Sequence, residues 1–341
     1  MKDLDIDLRS DTITVPTKEM LTYMFDANVG DDVWEEDETV KNLESRLATL
    51  FSHEAALFCP SGTMTNQIAI RVHAKIGDEL ICDKLSHIHN YEGGGIAANS
   101  GVSTCLLDGD FGRISVKQIS ENINPDDIHF PRTRLVCLEN TVNKGGGVCY
   151  NLDEMKRIST YCKQNNLILH LDGARIFNAL VAKSDSSYEY GNIFDSVSVC
   201  LSKGLGAPVG SVLIGSSRFI KEAKRVRKSL GGGMRQVGYL AAAGIYALEN
   251  NIIRLADDHK RARLIGEVLN NLNCVENLRP LETNIVLFDI KKSMIKNFKK
   301  MLVDNRIQAS FMGDNTVRFV TSLSFCDNQL EILLNCLNKL D

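Results

Sequence analysis

From residue 55 onward, short apolar runs alternate with stretches of helical spacing. Runs at 55–59, 79–83, 103–107, 135–139, 167–172, 197–201 and 211–214 are the right length for strands buried on both faces, and turn-forming or polar residues follow them. Between many of them lie amphipathic stretches that predict helices, at 64–75, 152–164 and 218–230. Upstream, Val40, Leu43, Leu47 and Leu50 have helical spacing within 38–51. Strands alternating with helices in this way predict an α/β fold with a mainly parallel sheet flanked by helices, and ligands of such sheets bind beyond the carboxyl ends of the strands.

The two ends of the chain read differently. Residues 6–14 form an extended polar arm, Pro16 and Thr17 open a helix through about Asn28, and 30–37 is an acidic loop carrying Trp34, the single tryptophan. One or two long helices fill 236–272. Beyond them come strands at 284–290, 307–311 and 316–320 and helices at 293–305 and 327–340. That change of style predicts a large domain over 1–250, including the arm, and a smaller α+β unit over 251–341.

Composition narrows the class. With 341 residues, 44% hydrophobic and 24% charged, the chain has enough apolar surface for one large core and a second small one. A net charge of −4 argues against nucleic acid as a partner, and the basic residues around 221–228 suit a helix face. The acidic start has no signal-like apolar region and no run approaches a membrane span, so the expectation is a cytoplasmic protein. Ten cysteines form no CxxC pair; Cys59, Cys82, Cys105, Cys137 and Cys200 lie in or at the ends of strand-like runs and read as reduced thiols.

The chemistry centres on Lys203. It follows the apolar run 197–201, and Gly204, Gly206 and Pro208 end the strand there. A lysine where a buried sheet meets a loop is placed to act as an amine toward carbonyls. Asp172 ends the 167–172 run 31 residues earlier and is followed by Gly173, Ala174 and Arg175. An acid and a lysine at two strand ends suit the pyridine nitrogen and the aldehyde carbon of pyridoxal 5'-phosphate (PLP). Either motif alone is equally compatible with a helix cap or an ion pair.

Other positions add to this. Ser61, Gly62 and Thr63 precede the 64–75 helix, whose N-terminal amides favour an anion such as a cofactor phosphate. His87 and His89 stand two apart, a spacing unlike a metal-binding helix, and no neighbouring Cys or carboxylate completes a ligand set; His87 is read as stacking on a ring and no metal is expected. Arg318 alternates with Val317 and Phe319 and so points off the opposite face, which by itself describes a surface arginine. Ser10 by itself is an ordinary arm residue.

Taken together, the motifs resemble the low-specificity L-threonine aldolases, a family within the fold type I PLP enzymes, over essentially the whole chain. The matching segments include D-L-R-S-D-T (7–12), P-S-G-T-M (60–64), H-N-Y-E (89–92), L-E-N-T (138–141), H-x-D-G-A-R (170–175), L-S-K-G-L-G-A-P-V-G-S (201–211), G-G-G-M-R-Q (231–236) and V-R-F-V-T (317–321). The resemblance implies Lys203 as the Schiff-base lysine, Asp172 as partner of the pyridine nitrogen, Ser61, Gly62 and Thr63 as phosphate binders, and His87 on the cofactor ring. It also implies Arg175 near the phenolic oxygen or the substrate carboxylate, Ser10 and Arg318 on that carboxylate, and His129 near the substrate hydroxyl. A homo-oligomer, dimer-based and tetrameric, follows from the same likeness, with Arg235 and Lys228 completing a neighbouring subunit's phosphate site. Trp34, Val142 and Ser322 depart from the family pattern and bear on substrate preference.

The expected activity is cleavage of L-threonine, L-allo-threonine and related β-hydroxy-α-amino acids to glycine and an aldehyde. Its rivals are β-elimination or transamination on the same fold, and a catalytically silent homologue. A nicotinamide dehydrogenase is disfavoured, because no G-x-G-x-x-G follows the first strand.

Overall fold

A computed structural model describes residues 5–340. Its seven-stranded sheet has the order Ala55–Cys59, Ser211–Gly215, Ser196–Cys200, Ile168–Gly173, Thr133–Glu139, Glu79–Asp83, Ser103–Leu107. Five of these strands, from Ser196–Cys200 to Ser103–Leu107, are joined by parallel pairings; Ser211–Gly215 runs antiparallel to both its neighbours. The expected mainly parallel sheet is present, and it is sandwiched as the uninterrupted apolar runs require. Phe58, Val197, Val199, Val212 and Ile214 pack into one core with Leu43, Leu47 and Ala243, whereas Leu57, Cys59 and Leu213 pack on the other face with Ile68, Ala69 and Ala223.

Helix Gly62–His73 begins where the first strand stops. Ser61 caps it, its Oγ accepting from Met64 N at 3.2 Å. Gly62 has no room for a side chain, since a Cβ there would lie 2.5 Å from Cys200 Sγ. The carboxyl end of the Cys200 strand and the start of this helix are therefore in direct contact.

The second sheet is antiparallel, in the order Ser310–Phe311, Thr316–Val320, Ile285–Ile290, Val275–Leu278. Val317 and Phe319 are buried on one face with Phe288, Phe298 and Leu333, so alternation sends Arg318 to the other face, toward the large sheet. Ile6 and Leu8 join this second core, and Ile6–Asp7 pairs in parallel with Ile307–Gln308. The arm is thus pinned to the C-terminal unit and carries Ser10 and Asp11 across to the large sheet.

Several local readings change. The strand expected over 307–311 is two: Ile307–Gln308 pairs with the arm and Ser310–Phe311 with Arg318 and Val317. The arm is a paired strand only at Ile6–Asp7 and turns into a 3-10 helix at Asp11–Ile13. The 236–272 stretch is two helices, Gly238–Asn250 and Leu255–Asn271. Helices Ile176–Lys183 and Ser187–Ile193 and the strand Val275–Leu278 were not foreseen.

Candidate active site

Asp172 and Lys203 lie at the carboxyl ends of adjacent parallel strands, with Asp172 opposite Ser198 in register. Asp172 is buried and its orientation is held from two sides: Ala174 N donates to Oδ1 at 3.1 Å and Asn66 Nδ2 to Oδ2 at 2.9 Å. The Lys203 carbonyl accepts from Thr14 Oγ1 at 3.0 Å and from Gly206 N at 2.8 Å, which fixes the loop. Among the described residues its Nζ takes no hydrogen bond or salt bridge, although its charge is felt by Asp11.

Three buried carboxylates surround His87. Glu92 Oε1 bonds its Nδ1 at 3.0 Å, Glu139 Oε2 accepts from its backbone N at 2.6 Å, and Asp172 is close enough to act on its charge. Burial opposes protonation of the imidazole, but the Glu92 bond and the charges of Asp172, Glu92 and Glu139 outweigh it, so its pKa is raised. Burial, reinforced by the charge of Asp172, pushes Glu139 up to about 7 against the bonds it accepts from Asn143 N and His87 N. Glu92 also accepts from Asn66 Nδ2 at 2.9 Å and Gln67 Nε2 at 2.6 Å. The expectation that no carboxylate joins the histidine pair is corrected for His87: His87, Glu92 and Asp172 offer ligand atoms within 4.8 Å of one another. Tertiary contact, not local spacing, brings Asp172 there. His89 takes no part.

A second set lies across the cleft. Arg175 is buried and paired with Asp11, whose pKa is lowered because the guanidinium outweighs the cost of burial. Arg318 has no carboxylate partner: Nη1 donates to Asn143 Oδ1 at 2.8 Å, Nη2 to Arg9 O at 3.1 Å, and Nε is buried with no partner. Burial and then the like charge of Arg175 lower its pKa. Two guanidinium groups close enough to repel, with the one carboxylate taken up by Arg175, make a place for an anion.

Comparisons with known proteins give the family and the fold. Residues 7–293 match the model of the beta-eliminating lyase family. A protein of Arabidopsis thaliana described as a probable low-specificity L-threonine aldolase 2 is 41% identical over 343 residues, covering 98% of this chain and 97% of its own. The chain belongs to the low-specificity L-threonine aldolase family. The low specificity L-threonine aldolase of Escherichia coli strain K12 is 46% identical over 265 residues, covering 77% of this chain and 79% of its own. In fold, the chain matches a threonine aldolase structure from Leishmania major with a TM-score of 0.85 at 22% identity, covering 98% of this chain and 99% of that one. It also matches a putative L-allo-threonine aldolase structure from Listeria monocytogenes at 0.84 and 24%, covering 100% and 97%.

Of the residues predicted for this threonine aldolase family member, Asp172, Lys203, His87, Arg175 and Arg318 converge on the carboxyl end of the sheet. Gly62 and Thr63 sit at the helix N-terminus, where the first backbone amides have no partner within the helix. Ser10 caps the 3-10 turn, its Oγ accepting from Thr12 N at 3.2 Å, next to the Arg9 carbonyl that Arg318 grips. His129 is exposed on the loop before the Thr133–Glu139 strand and bonds Asp127 at 2.7 Å, apart from this cluster. Arg235 pairs with Asp31 of its own chain at 2.9 Å, and Lys228 lines a cavity with Glu44 and Asp32. Asn66, Glu92, Glu139, Asp11 and Asn143 were not singled out from sequence. Asp11, Glu92 and Glu139 do lie within the matching segments, and Glu139 ends its strand run as Asp172 does; Asn66 lies one turn into the helix whose start was marked for phosphate.

Proposed function

We propose that this chain is a PLP-dependent aldolase that cleaves L-threonine, L-allo-threonine and related β-hydroxy-α-amino acids to glycine and an aldehyde. The observation that carries this is the pair of strand ends, a buried Asp172 beside a Lys203 whose amine is unbonded, in a chain of the threonine aldolase family.

The residues present fit the cofactor. Asp172 offers a fixed buried carboxylate to a pyridine nitrogen, Ser61, Gly62 and Thr63 offer a helix start to a phosphate, and the Lys203 amine is available to an aldehyde. When bound, PLP supplies an electron sink for the pair released at Cα. Asp172 keeps a proton on the ring nitrogen by opposite charge. Arg318 and Ser10 hold the substrate carboxylate and so set which Cα bond is poised to break, with Arg175 held beside them by Asp11. In the overall change the hydroxyl proton leaves, the Cα–Cβ bond breaks, and a proton is delivered to Cα. With His87 Nδ1 tied to Glu92, Nε2 is the atom left to carry a proton. His129, implied by the resemblance for the substrate hydroxyl, stands exposed and apart from this cluster within one chain, so it could meet that hydroxyl only if its loop moved or it served a neighbouring subunit's site. Lys203 releases the product.

The same reading makes the protein a cytoplasmic homo-oligomer, dimer-based and tetrameric, whose Arg235 and Lys228 serve a neighbour's phosphate. Among the described residues no helix is long and apolar enough to cross a membrane. The test is product analysis of the PLP-loaded protein with L-threonine and L-allo-threonine. Glycine and acetaldehyde in equal amounts are expected; an oxo acid with ammonia would overturn the reading.

A further inference from the structure

Asn66 joins three groups at the base of the site. Its Nδ2 donates to Asp172 Oδ2 and to Glu92 Oε1, both at 2.9 Å, and its Oδ1 meets His170 Nε2 at 3.2 Å. Behind it the contacts continue through the sheet. His170 Nδ1 meets Ser196 Oγ at 2.8 Å, and Ser196 Oγ meets His73 Nε2 at 2.8 Å. Asn66, His170 and Ser196 are each at most 1% exposed, and His73 stacks on Phe219 with ring centroids 4.3 Å apart.

These positions admit one arrangement of hydrogens. If the Asn66 amide were reversed, its oxygen would face two carboxylate oxygens. Its NH2 therefore points at Asp172 and Glu92, and its oxygen must accept a hydrogen from His170 Nε2. Burial pushes His170 down to about 4 and His73 down to about 3, so both rings are neutral near pH 7 and each carries one hydrogen. With its hydrogen on Nε2, His170 must accept at Nδ1 from the Ser196 hydroxyl. That uses the only hydrogen of Ser196, so His73 must donate from its own Nε2.

We propose that His73, Ser196 and His170 form a one-way chain of hydrogen bonds that locks the Asn66 amide toward Asp172 and Glu92. Resting on the aldolase reading above, this makes the three residues positioning groups for the acid that meets the cofactor nitrogen. None of them touches the cleft. Their effect passes through Asn66: were its oxygen turned toward Asp172, the carboxylate would lose a donor and gain a repulsion.

The chain is read directly by long-range proton–nitrogen correlation spectra of protein labelled with 15N-histidine, in cofactor-free and PLP-loaded forms. Between pH 6 and 9, His73 and His170 should both be neutral with the hydrogen on Nε2. In Ser196→Ala, His73 should become a mixture of tautomers while His170, still facing Asn66 Oδ1, keeps its hydrogen on Nε2. There kcat for threonine cleavage should fall roughly tenfold or more with KM little changed, because the buried Nδ1 of His170 is left without its donor. A hydrogen on Nδ1 of either ring in the unaltered protein would overturn the proposal, whether or not Ser196→Ala folds. A single His73 tautomer with full kcat in Ser196→Ala would do the same. If the spectra are as expected but threonine is not cleaved, the hydrogen-bond chain stands and the aldolase reading falls.

Discussion

Arg175 and Asp11, 164 residues apart, meet through two parallel bonds, Nε to Oδ2 at 2.8 Å and Nη2 to Oδ1 at 2.7 Å, with both side chains buried. Asn284 Nδ2 adds a third bond to Asp11 at 3.3 Å. The pair ties the N-terminal arm, the Asp172 turn and the small unit into one wall of the cleft. In doing so it takes up the carboxylate that Arg318 would otherwise share.

Asp11→Asn should therefore be costly. A buried pair broken on one side leaves an uncompensated charge, and such losses run to about 3–5 kcal/mol. The expected result is a thermal midpoint lowered by several degrees together with a raised KM, because Arg175 and the arm that carries Ser10 then lose their fixed positions. Unchanged stability in calorimetry would show that the pair is dispensable.

Arg318→Gln tests the other guanidinium. Arg318 has a buried Nε without a partner, so removing its charge should leave the fold intact. Hydrogen bonds to charged groups are worth about 1.5–3 kcal/mol, so KM for L-threonine should rise by roughly ten- to a hundredfold. Steady-state kinetics with circular dichroism as the control decides it; an unchanged KM would place the substrate carboxylate elsewhere.

Glu44 gives a pH prediction away from the chemistry. Its Oε1 accepts from Phe58 N at 2.7 Å, and burial, helped by the charge of Asp32, pushes its pKa up to about 7. Because the folded value lies above the unfolded one, the folded chain holds this proton more tightly. Its stabilisation is complete below about pH 4.5 and is lost as pH rises through about 7. Glu44→Gln, which keeps an acceptor for Phe58, should remove that loss. Urea unfolding at pH 5 and pH 8.5 should show the variant gaining on the parent at the higher pH by a few kcal/mol, on the order of 3. An equal difference at both values would mean that Glu44 is ionised in the folded chain throughout.

Arg235 is tested by complementation. Within its own chain it meets Asp31 and is 54% exposed, so its proposed partner is a neighbour's phosphate. Mixing Lys203→Ala with Arg235→Ala protomers under subunit exchange should restore activity well above either parent, since one site of each hybrid dimer carries neither defect. No recovery after verified exchange would confine Arg235 to its own chain.

What the sequence determined by itself is local in origin. Uninterrupted β-branched runs can be satisfied only in a sheet covered on both sides, which made the strands around Asp172 and Lys203 legible, and the glycines after Lys203 marked where its strand had to stop. The alternation of Val317, Arg318 and Phe319 similarly put the arginine on the face away from the core, where it stands. Contacts across long sequence separations were decided only by the tertiary structure. Nothing near Asn66 announces Asp172, 106 residues on, and although Glu139 ends a strand run and Glu92 closes a matching segment, nothing in either stretch says that both meet His87. Residues 307–311 leave strand only at Ala309, so their pattern read as one strand. Only the packed structure, which pairs Ile307–Gln308 with the arm and Ser310–Phe311 with the Arg318 strand, divides them at Ala309. Hydrophobic periodicity reports which face of an element is buried, whereas the partner of a polar side chain depends on which elements the packed core brings alongside it.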